Sequence, residues 1–201
     1  MSVAQSNHGI EEGAPFAFTP QYLKQAEHLI AKYPAGRQAS AVLPLLALAQ
    51  RQLGWLPRKA MDYVASMLDM APIRVYEVAT FYTMYRLQPG GKHVLEVCTT
   101  TPCWLRGSDA VVSACKSRLG IDFGETTADG KFTLLEVECL GACVNAPMLQ
   151  IGDHYYEDLD ATNVVALIDA LAEGKTPKTG SQIGRQTSAP VSGLTTLTKE
   201  A

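Results

Sequence analysis

Two pairs of cysteines constrain the fold of this chain more than any other feature of its sequence. Cys98 and Cys103 form the first cysteine pair, and Cys139 and Cys143 form the second; each pair begins where a β-rich segment ends. The residues between the two segments have helical spacing, so we predict two strands joined by a helical crossover. Such a crossover leaves its strands parallel, and the loops that follow them emerge at the same edge of the sheet. If the strands are neighbours, four thiolates converge there.

The segments around the cysteines predict the element order β-α-β-β-β-α. The first two strands are expected at 93–99 and 132–138, which are rich in β-branched residues. A helix at 109–119, capped by Ser108 and ended by Gly120, is expected between them. The dipeptide Gly152-Asp153 predicts a hairpin between strands at 148–151 and 154–157. A last helix is expected at 161–172, with an apolar side that packs on the sheet.

The first part of the chain differs in the spacing of its apolar residues, which recur every three or four positions. We predict helices at 19–33, 40–53, 57–70 and 72–85. Phe81 and Tyr82 are assigned to the core of this helical unit, since aromatic residues at helical spacing are usually buried. The pattern changes at Pro89-Gly90-Gly91, which places a domain boundary there.

The predicted organisation is therefore of the α+β class, a helical bundle followed by a sheet domain that carries the cysteines. Its parts are a polar N-terminal extension at 1–18, the bundle at 19–88, the cysteine domain at 89–173 and an extended C-terminal tail at 174–201. The tail is rich in Gly, Ser, Thr and Pro, with only isolated large apolar residues. Such a segment buries too little surface to offset its ordering entropy, so we expect it to become ordered only against a partner.

Composition excludes several classes of function. The chain has 201 residues, 47% of them hydrophobic and 18% charged, with a formal net charge of -3. This composition is that of a globular protein, and the charge gives no reason to expect nucleic acid or an anionic membrane as a partner. The longest apolar stretch is too short for insertion into a bilayer. The beginning of the chain does not read as a secretory signal, so we expect a reducing compartment.

The five cysteines point to metal or redox chemistry rather than to disulfides, which are rare in reducing compartments. Four converging thiolates suit either a 2Fe-2S cluster or a tetrahedral zinc ion. The gap of four residues in the first cysteine pair matches plant-type ferredoxins and favours the cluster. Cys115 differs, because it lies on the apolar side of a predicted helix, where a buried free thiol is the default.

Independent catalysis by this chain is not expected, and no catalytic residue is assigned. The sequence contains no Ser-His-Asp set, Walker loop or dinucleotide-binding glycine fingerprint. A thioredoxin-like dithiol oxidoreductase would fit the element order. That class uses two cysteines separated by two residues, whereas four residues separate the first pair here.

Five segments carry a resemblance to a known family: ATFYTMY at 79–85, VCTTTPCWLRGS at 97–108, ECLGACVNAPMLQIGDHYYEDL at 138–159, GRQTSAP at 184–190 and GLTTL at 193–197. Over about residues 16–201 the chain resembles the small 2Fe-2S subunit of respiratory complex I, the NADH:quinone oxidoreductase. All four ligand positions of that family are cysteine in this sequence.

The resemblance implies a thioredoxin-like cluster domain that holds one 2Fe-2S cluster through Cys98, Cys103, Cys139 and Cys143. It also implies single-electron exchange with the flavin of a larger partner subunit that binds FMN and NADH, within a peripheral arm shared with other subunits. The implied location is the cytoplasmic face of the bacterial inner membrane or the matrix side of the mitochondrial one. The equivalent subunit of an NAD-linked hydrogenase or formate dehydrogenase is an alternative, and so is a zinc-stabilised assembly module without redox activity.

Overall fold

The computed structural model describes residues 15–193 and 195–196. The chain divides into two compact units, with the boundary between Gly90 and Gly91. Most of the predicted N-terminal extension, the last five residues of the tail and two positions of the GLTTL segment lie outside the described residues. The division into extension, bundle, cysteine domain and tail stays a prediction.

The first unit contains four α-helices among its described residues: α1 (Pro20–Ile30), α2 (Val42–Leu53), α3 (Arg58–Met67) and α4 (Pro72–Phe81). A short 3-10 helix, Gln38–Ala41, precedes α2. Proline occupies the first position of α1 and of α4, where its missing N–H is not needed. Helix α2 ends at Gly54, whose left-handed backbone with φ of 85° suits glycine.

Helix α2 lies at the centre of this unit. Its residues Leu45 and Leu46 are fully buried, as are Val64 of α3 and Val75 of α4. These side chains belong to one apolar cluster drawn from all four helices. The near-continuous apolar sequence of α2 thus reflects contact with neighbours on most of its sides.

The end of α4 corrects two predictions. The helix stops at Phe81 instead of continuing to 85, because the side chain of Gln50 forms hydrogen bonds with the backbone that follows the helix. The Gln50 amide donates to the Met84 carbonyl at 2.9 Å and accepts from the Arg86 N–H at 2.6 Å. Phe81 is 75% exposed and Tyr82 40% exposed, so their assignment to the core was wrong. Tyr85 is the buried aromatic residue, and its hydroxyl donates to the Leu43 carbonyl at 2.8 Å.

The second unit contains a mixed sheet in the order β2-β1-β3-β4-β5. Its strands are β1 (His93–Cys98), β2 (Phe132–Val137), β3 (Leu149–Ile151), β4 (His154–Glu157) and β5 (Gly180–Ser181). Strands β1 and β2 are parallel, as predicted, and they are also neighbours, which meets the condition set for the thiols to converge. Strand β3 is antiparallel to both β1 and β4. Together with the helices of the first unit, this sheet confirms the predicted α+β class.

Two helices, α6 (Ser108–Leu119) and α7 (Ala161–Ala172), share one apolar core with the sheet. Leu95 and Leu134 face each other across the β1–β2 pairing, and both are fully buried. The predicted bounds of α7 are confirmed, and its Asp160 accepts hydrogen bonds from the backbone of the first turn in a capping box. Gly107 occupies the N-cap position of α6, so the cap predicted at Ser108 was one residue late.

One α-helix and one strand of this unit were not predicted. A short helix, α5 (Thr101–Leu105), follows β1 directly, and β5 lies in the segment that we expected to be unstructured without a partner. Strand β5 pairs in parallel with β4 and extends the sheet by one strand. That expectation for the tail is therefore wrong for the described residues around β5. None of the helices in the described ranges is long and apolar enough to span a bilayer.

Candidate metal centre

The four predicted ligands lie at one edge of the sheet of the second unit. Cys98 is the last residue of β1, and Cys103 lies in α5; both side chains are buried. Cys139 and Cys143 lie in the loop that follows β2, and both are exposed. Cys98 lies opposite Val137 across the parallel strands, and Cys139, the start of the second cysteine pair, follows Val137 by only two residues. Parallel pairing of β1 and β2 thus brings the two cysteine segments together.

Within each pair the thiols interact directly. The Sγ atoms of Cys139 and Cys143 are 3.4 Å apart, and the thiols of Cys98 and Cys103 are close enough to shift each other's pKa. Within the described part of the chain, no three side chains of the Cys, His, Asp or Glu type lie close enough together to hold a single metal ion. The thiols therefore form two pairs.

Two pairs of sulfur atoms suit a binuclear centre better than a single ion. Tetrahedral zinc, with Zn–S bonds of about 2.3 Å, requires all four sulfurs within about 3.8 Å of one another. A 2Fe-2S cluster is larger and is held by four cysteine thiolates. The donor set, four soft sulfurs divided into two pairs, fits such a cluster.

Neighbouring groups place hydrogen-bond donors beside a sulfur in each pair. The Oγ1 of Thr100 lies 3.3 Å from the Sγ of Cys98. The backbone N–H of Gly141 donates to the Sγ of Cys139 over 3.4 Å. Gly141 has a φ of 84°, a left-handed conformation that other residues adopt only with strain. Donors to the sulfurs are among the features that set the potential of an iron-sulfur cluster.

The two thiols of each pair differ in acidity. Burial raises the pKa of Cys103 to about 12, and its hydrogen bond with Cys98 acts in the same direction. Burial also opposes ionisation of Cys98, but hydrogen bonds from the threonine hydroxyl, from Cys103 and from the backbone outweigh it and lower the pKa. The Gly141 N–H and the Cys143 thiol lower the pKa of Cys139, whereas the bond to Cys139 raises the pKa of Cys143. Each pair therefore contains one thiol whose pKa is lowered, and the thiolate is the form that binds metal.

Side chains beneath the second pair hold its loop against the first. Cys98 and Cys103 form a small apolar cluster with Ala146 and Met148 under the loop, whose residues Leu140 and Ala142 pack against them. Tyr155 of β4 donates its hydroxyl to the Leu140 carbonyl at 2.8 Å. The loop is thus fixed near its start by a side chain that the sequence analysis did not single out.

Comparison with known proteins agrees with this geometry. Residues 26–172 match the model of the thioredoxin-like [2Fe-2S] ferredoxin family. The chain belongs to this family. Membership confirms the predicted thioredoxin-like fold and the 2Fe-2S cofactor.

Relatives of this ferredoxin extend over most of its length. It is 59% identical over 157 residues to a subunit of the NADH-quinone oxidoreductase of Rickettsia bellii, covering 78% of this chain and 94% of that one. It is 51% identical over 187 residues to the mitochondrial NADH dehydrogenase [ubiquinone] flavoprotein 2 of Dictyostelium discoideum, covering 92% of this chain and 76% of that one. These similarities confirm the resemblance drawn from the motifs.

A solved structure of an NAD+-reducing [NiFe]-hydrogenase is similar in fold. The TM-score is 0.57 at 22% identity, and the match covers 66% of this ferredoxin and 22% of the hydrogenase chain. At that identity the likeness concerns the fold alone.

Large apolar side chains are exposed next to two of the predicted ligands of the ferredoxin. Trp104 and Leu105 follow Cys103 and are 56% and 70% exposed, and Val144 follows Cys143 and is 66% exposed. The sequence analysis did not single them out, although their positions directly after two cysteines are visible in the sequence. The predicted site is therefore flanked by exposed apolar side chains.

The contact between Tyr155 and the loop gives a first prediction. Changing Tyr155 to phenylalanine keeps the ring in place but leaves the Leu140 carbonyl without its donor, so we expect a loss of about 0.5–1.5 kcal/mol in the free energy of unfolding. Urea denaturation measures the change. Tyr22→Phe in α1 is the control, because no cysteine loop lies in that unit; equal losses in both variants would contradict a specific role for Tyr155.

Proposed function

We propose that this chain is an electron-transfer subunit of NADH:quinone oxidoreductase that binds its 2Fe-2S cluster through Cys98, Cys103, Cys139 and Cys143. The observation that carries the proposal is the placement of both cysteine pairs at one sheet edge, in a chain that covers 94% of a 59% identical subunit of an NADH-quinone oxidoreductase. The mitochondrial relative, at 51% identity, supports the same assignment.

The cysteines would play unequal parts. When bound, the cluster supplies a carrier for one electron at a time. The first pair is buried, whereas the second pair and Val144 beside it reach the surface; Trp104 and Leu105, which follow the first pair, are exposed as well. The loop of the second pair is thus the side on which an electron-exchange partner would approach.

The partner we propose is the flavin- and NADH-binding subunit of the same complex. The chain has no dinucleotide fingerprint of its own, so FMN and NADH would be held by that partner. Other subunits of the peripheral arm would complete the assembly. The proposed location is the cytoplasmic face of the bacterial inner membrane, or the matrix side in a mitochondrion.

The equivalent subunit of an NAD-linked hydrogenase is the second candidate, supported by the likeness to the NAD+-reducing [NiFe]-hydrogenase. The identities of 59% and 51% with subunits of NADH-quinone and NADH-ubiquinone oxidoreductases favour the first candidate over it.

One experiment tests cofactor and partner in sequence. Anaerobically purified chain should contain about two irons and two acid-labile sulfides and give an EPR signal only after reduction by dithionite. NADH alone should leave that signal absent, and NADH with the flavoprotein subunit of the complex should produce it. One zinc and no signal would refute the cluster; a dithionite signal that NADH and the flavoprotein never produce would refute the proposed partner.

A further inference from the structure

The C-terminal segment 180–189 contains a buried arginine that neither the fold nor the ligand set explains. The side chain of Arg185 is only 8% exposed, and that of its ion-pair partner Asp158 only 4%. Several other ion pairs of the described residues are much more exposed, for example Arg118 with Asp169 at 47% and 43%. A charge buried so deeply requires satisfied hydrogen bonds, and their partners show what the arginine holds together.

The Arg185 guanidinium bonds two parts of the structure at once. It forms a two-pronged pair with the Asp158 carboxylate, in which Nε donates to Oδ2 at 3.1 Å and Nη2 donates to Oδ1. The same Nη2 donates to the backbone carbonyl of Val144 at 3.2 Å. Val144 directly follows the ligand position Cys143, 41 residues earlier in the chain. Arg185 thus joins the C-terminal segment to the loop of the second pair.

A second set of bonds makes the same connection. The side-chain amide of Asn145 donates to the Thr187 carbonyl at 2.9 Å and to the Glu157 carboxylate at 2.6 Å. The Asn145 carbonyl accepts from the backbone N–H of Asp158 at 2.7 Å. Both residues after Cys143 are therefore held by the segment 180–189 or by its anchor at the end of β4.

The segment is itself anchored to the sheet. Strand β5 pairs with β4, the Gln182 N–H donates to the Glu157 carbonyl at 2.9 Å, and the Arg185 N–H donates to the buried Ser181 hydroxyl at 3.1 Å. The turn at Cys143–Asn145 has only a short 3-10 helix of its own. Its position is consequently set by the side chains that bond it from outside.

We propose that Arg185 is a positioning residue of the metal centre. Its hydrogen bonds with Asp158 and the Val144 carbonyl hold the C-terminal segment against the turn that carries Cys143. These bonds keep the second cysteine pair in the geometry that retains iron. This inference rests on the proposed assignment of Cys139 and Cys143 as ligands. Arginine suits the task because its planar fork binds a carboxylate with two donors and still has a donor for a carbonyl, which lysine does not provide.

The test measures how fast the assembled protein loses iron. Arg185→Gln should release iron to a chelator about 10-fold faster than the unaltered chain, the lower end of the effect usual when a group that orients a metal ligand is lost. The EPR spectrum of the reduced protein should shift as well, since the environment of two ligands changes. Arg185→Lys should lie between the two. Arg118→Gln, which removes an arginine from an exposed ion pair of the same unit, should match the unaltered chain.

A double variant, Asp158→Asn with Arg185→Gln, covers the case in which a lone buried Asp158 carboxylate prevents folding. This variant leaves neither partner of the ion pair charged, but it still removes the hydrogen bonds from Arg185 to Asp158 and Val144. Accelerated iron loss with an unchanged far-ultraviolet circular dichroism spectrum therefore supports the proposal. Iron loss at the rate of Arg118→Gln, in either the single or the double variant, overturns it. An unaltered chain that binds no iron would instead refute the ligand assignment, so the two failures are distinguishable.

Discussion

Replacing Cys98 with alanine is expected to remove the cluster completely, lowering the iron content from about two atoms per chain to about zero. Cys98 is one of only four proposed ligands, and its side chain is buried at the end of β1. Iron and sulfide analysis of anaerobically purified protein measures the loss, and the EPR signal after dithionite should disappear with it.

Cys115→Ala is the matched control for this change. Cys115 is also fully buried, and burial raises the pKa of its thiol to about 12, but it packs in the core between α6 and the sheet rather than beside the other cysteines. Its loss should leave about two irons per chain. Iron retained in Cys98→Ala, or lost equally in both variants, would contradict the proposed ligand set.

Leu95→Ala should destabilise the second unit by about 2–5 kcal/mol, the usual range for deletion of a buried leucine. Leu95 is fully buried at the centre of β1, opposite Leu134 and within the core that α6 and α7 share with the sheet. Urea denaturation followed by the fluorescence of Trp104, in a chain carrying Trp55→Phe, reports on this unit because no other tryptophan then remains.

Leu105→Ala provides the comparison, since the same atoms are removed from a side chain that is 70% exposed. Its effect should stay within about 0.5 kcal/mol. A loss for Leu95→Ala no larger than that for Leu105→Ala would contradict the assignment of β1 to the core.

Local signals predicted most of the helices and strands. The apolar spacing from Ala161 onward placed α7 correctly, and the β-branched segments placed β1 and β2 to within one residue. The end of α4 could not be predicted in this way, because it depends on hydrogen bonds from Gln50, more than thirty residues earlier. Helical spacing continues through Phe81 and Tyr82, but the chain leaves the helix there.

Strand β5 illustrates the same limit. A segment of two residues, Gly180 and Ser181, has no periodicity from which a strand could be predicted, and it pairs only because β4 presents an open edge. In the sequence, Arg185 was noted only as part of the GRQTSAP motif, with no role assigned to it. Its burial, and its bond to the residue after Cys143, follow from that pairing.

The type of metal chemistry of this protein can thus be predicted from its local sequence, whereas the burial and contacts of the individual cysteines cannot. Cysteine is the residue type that binds iron-sulfur clusters, and two cysteine pairs after two strands already imply a shared sheet edge. The burial of two thiols, the exposure of the other two and the contacts of distant residues with the second pair become visible only in the folded chain. These features arise from contacts between segments far apart in the chain, and such contacts leave no periodic pattern in either segment alone.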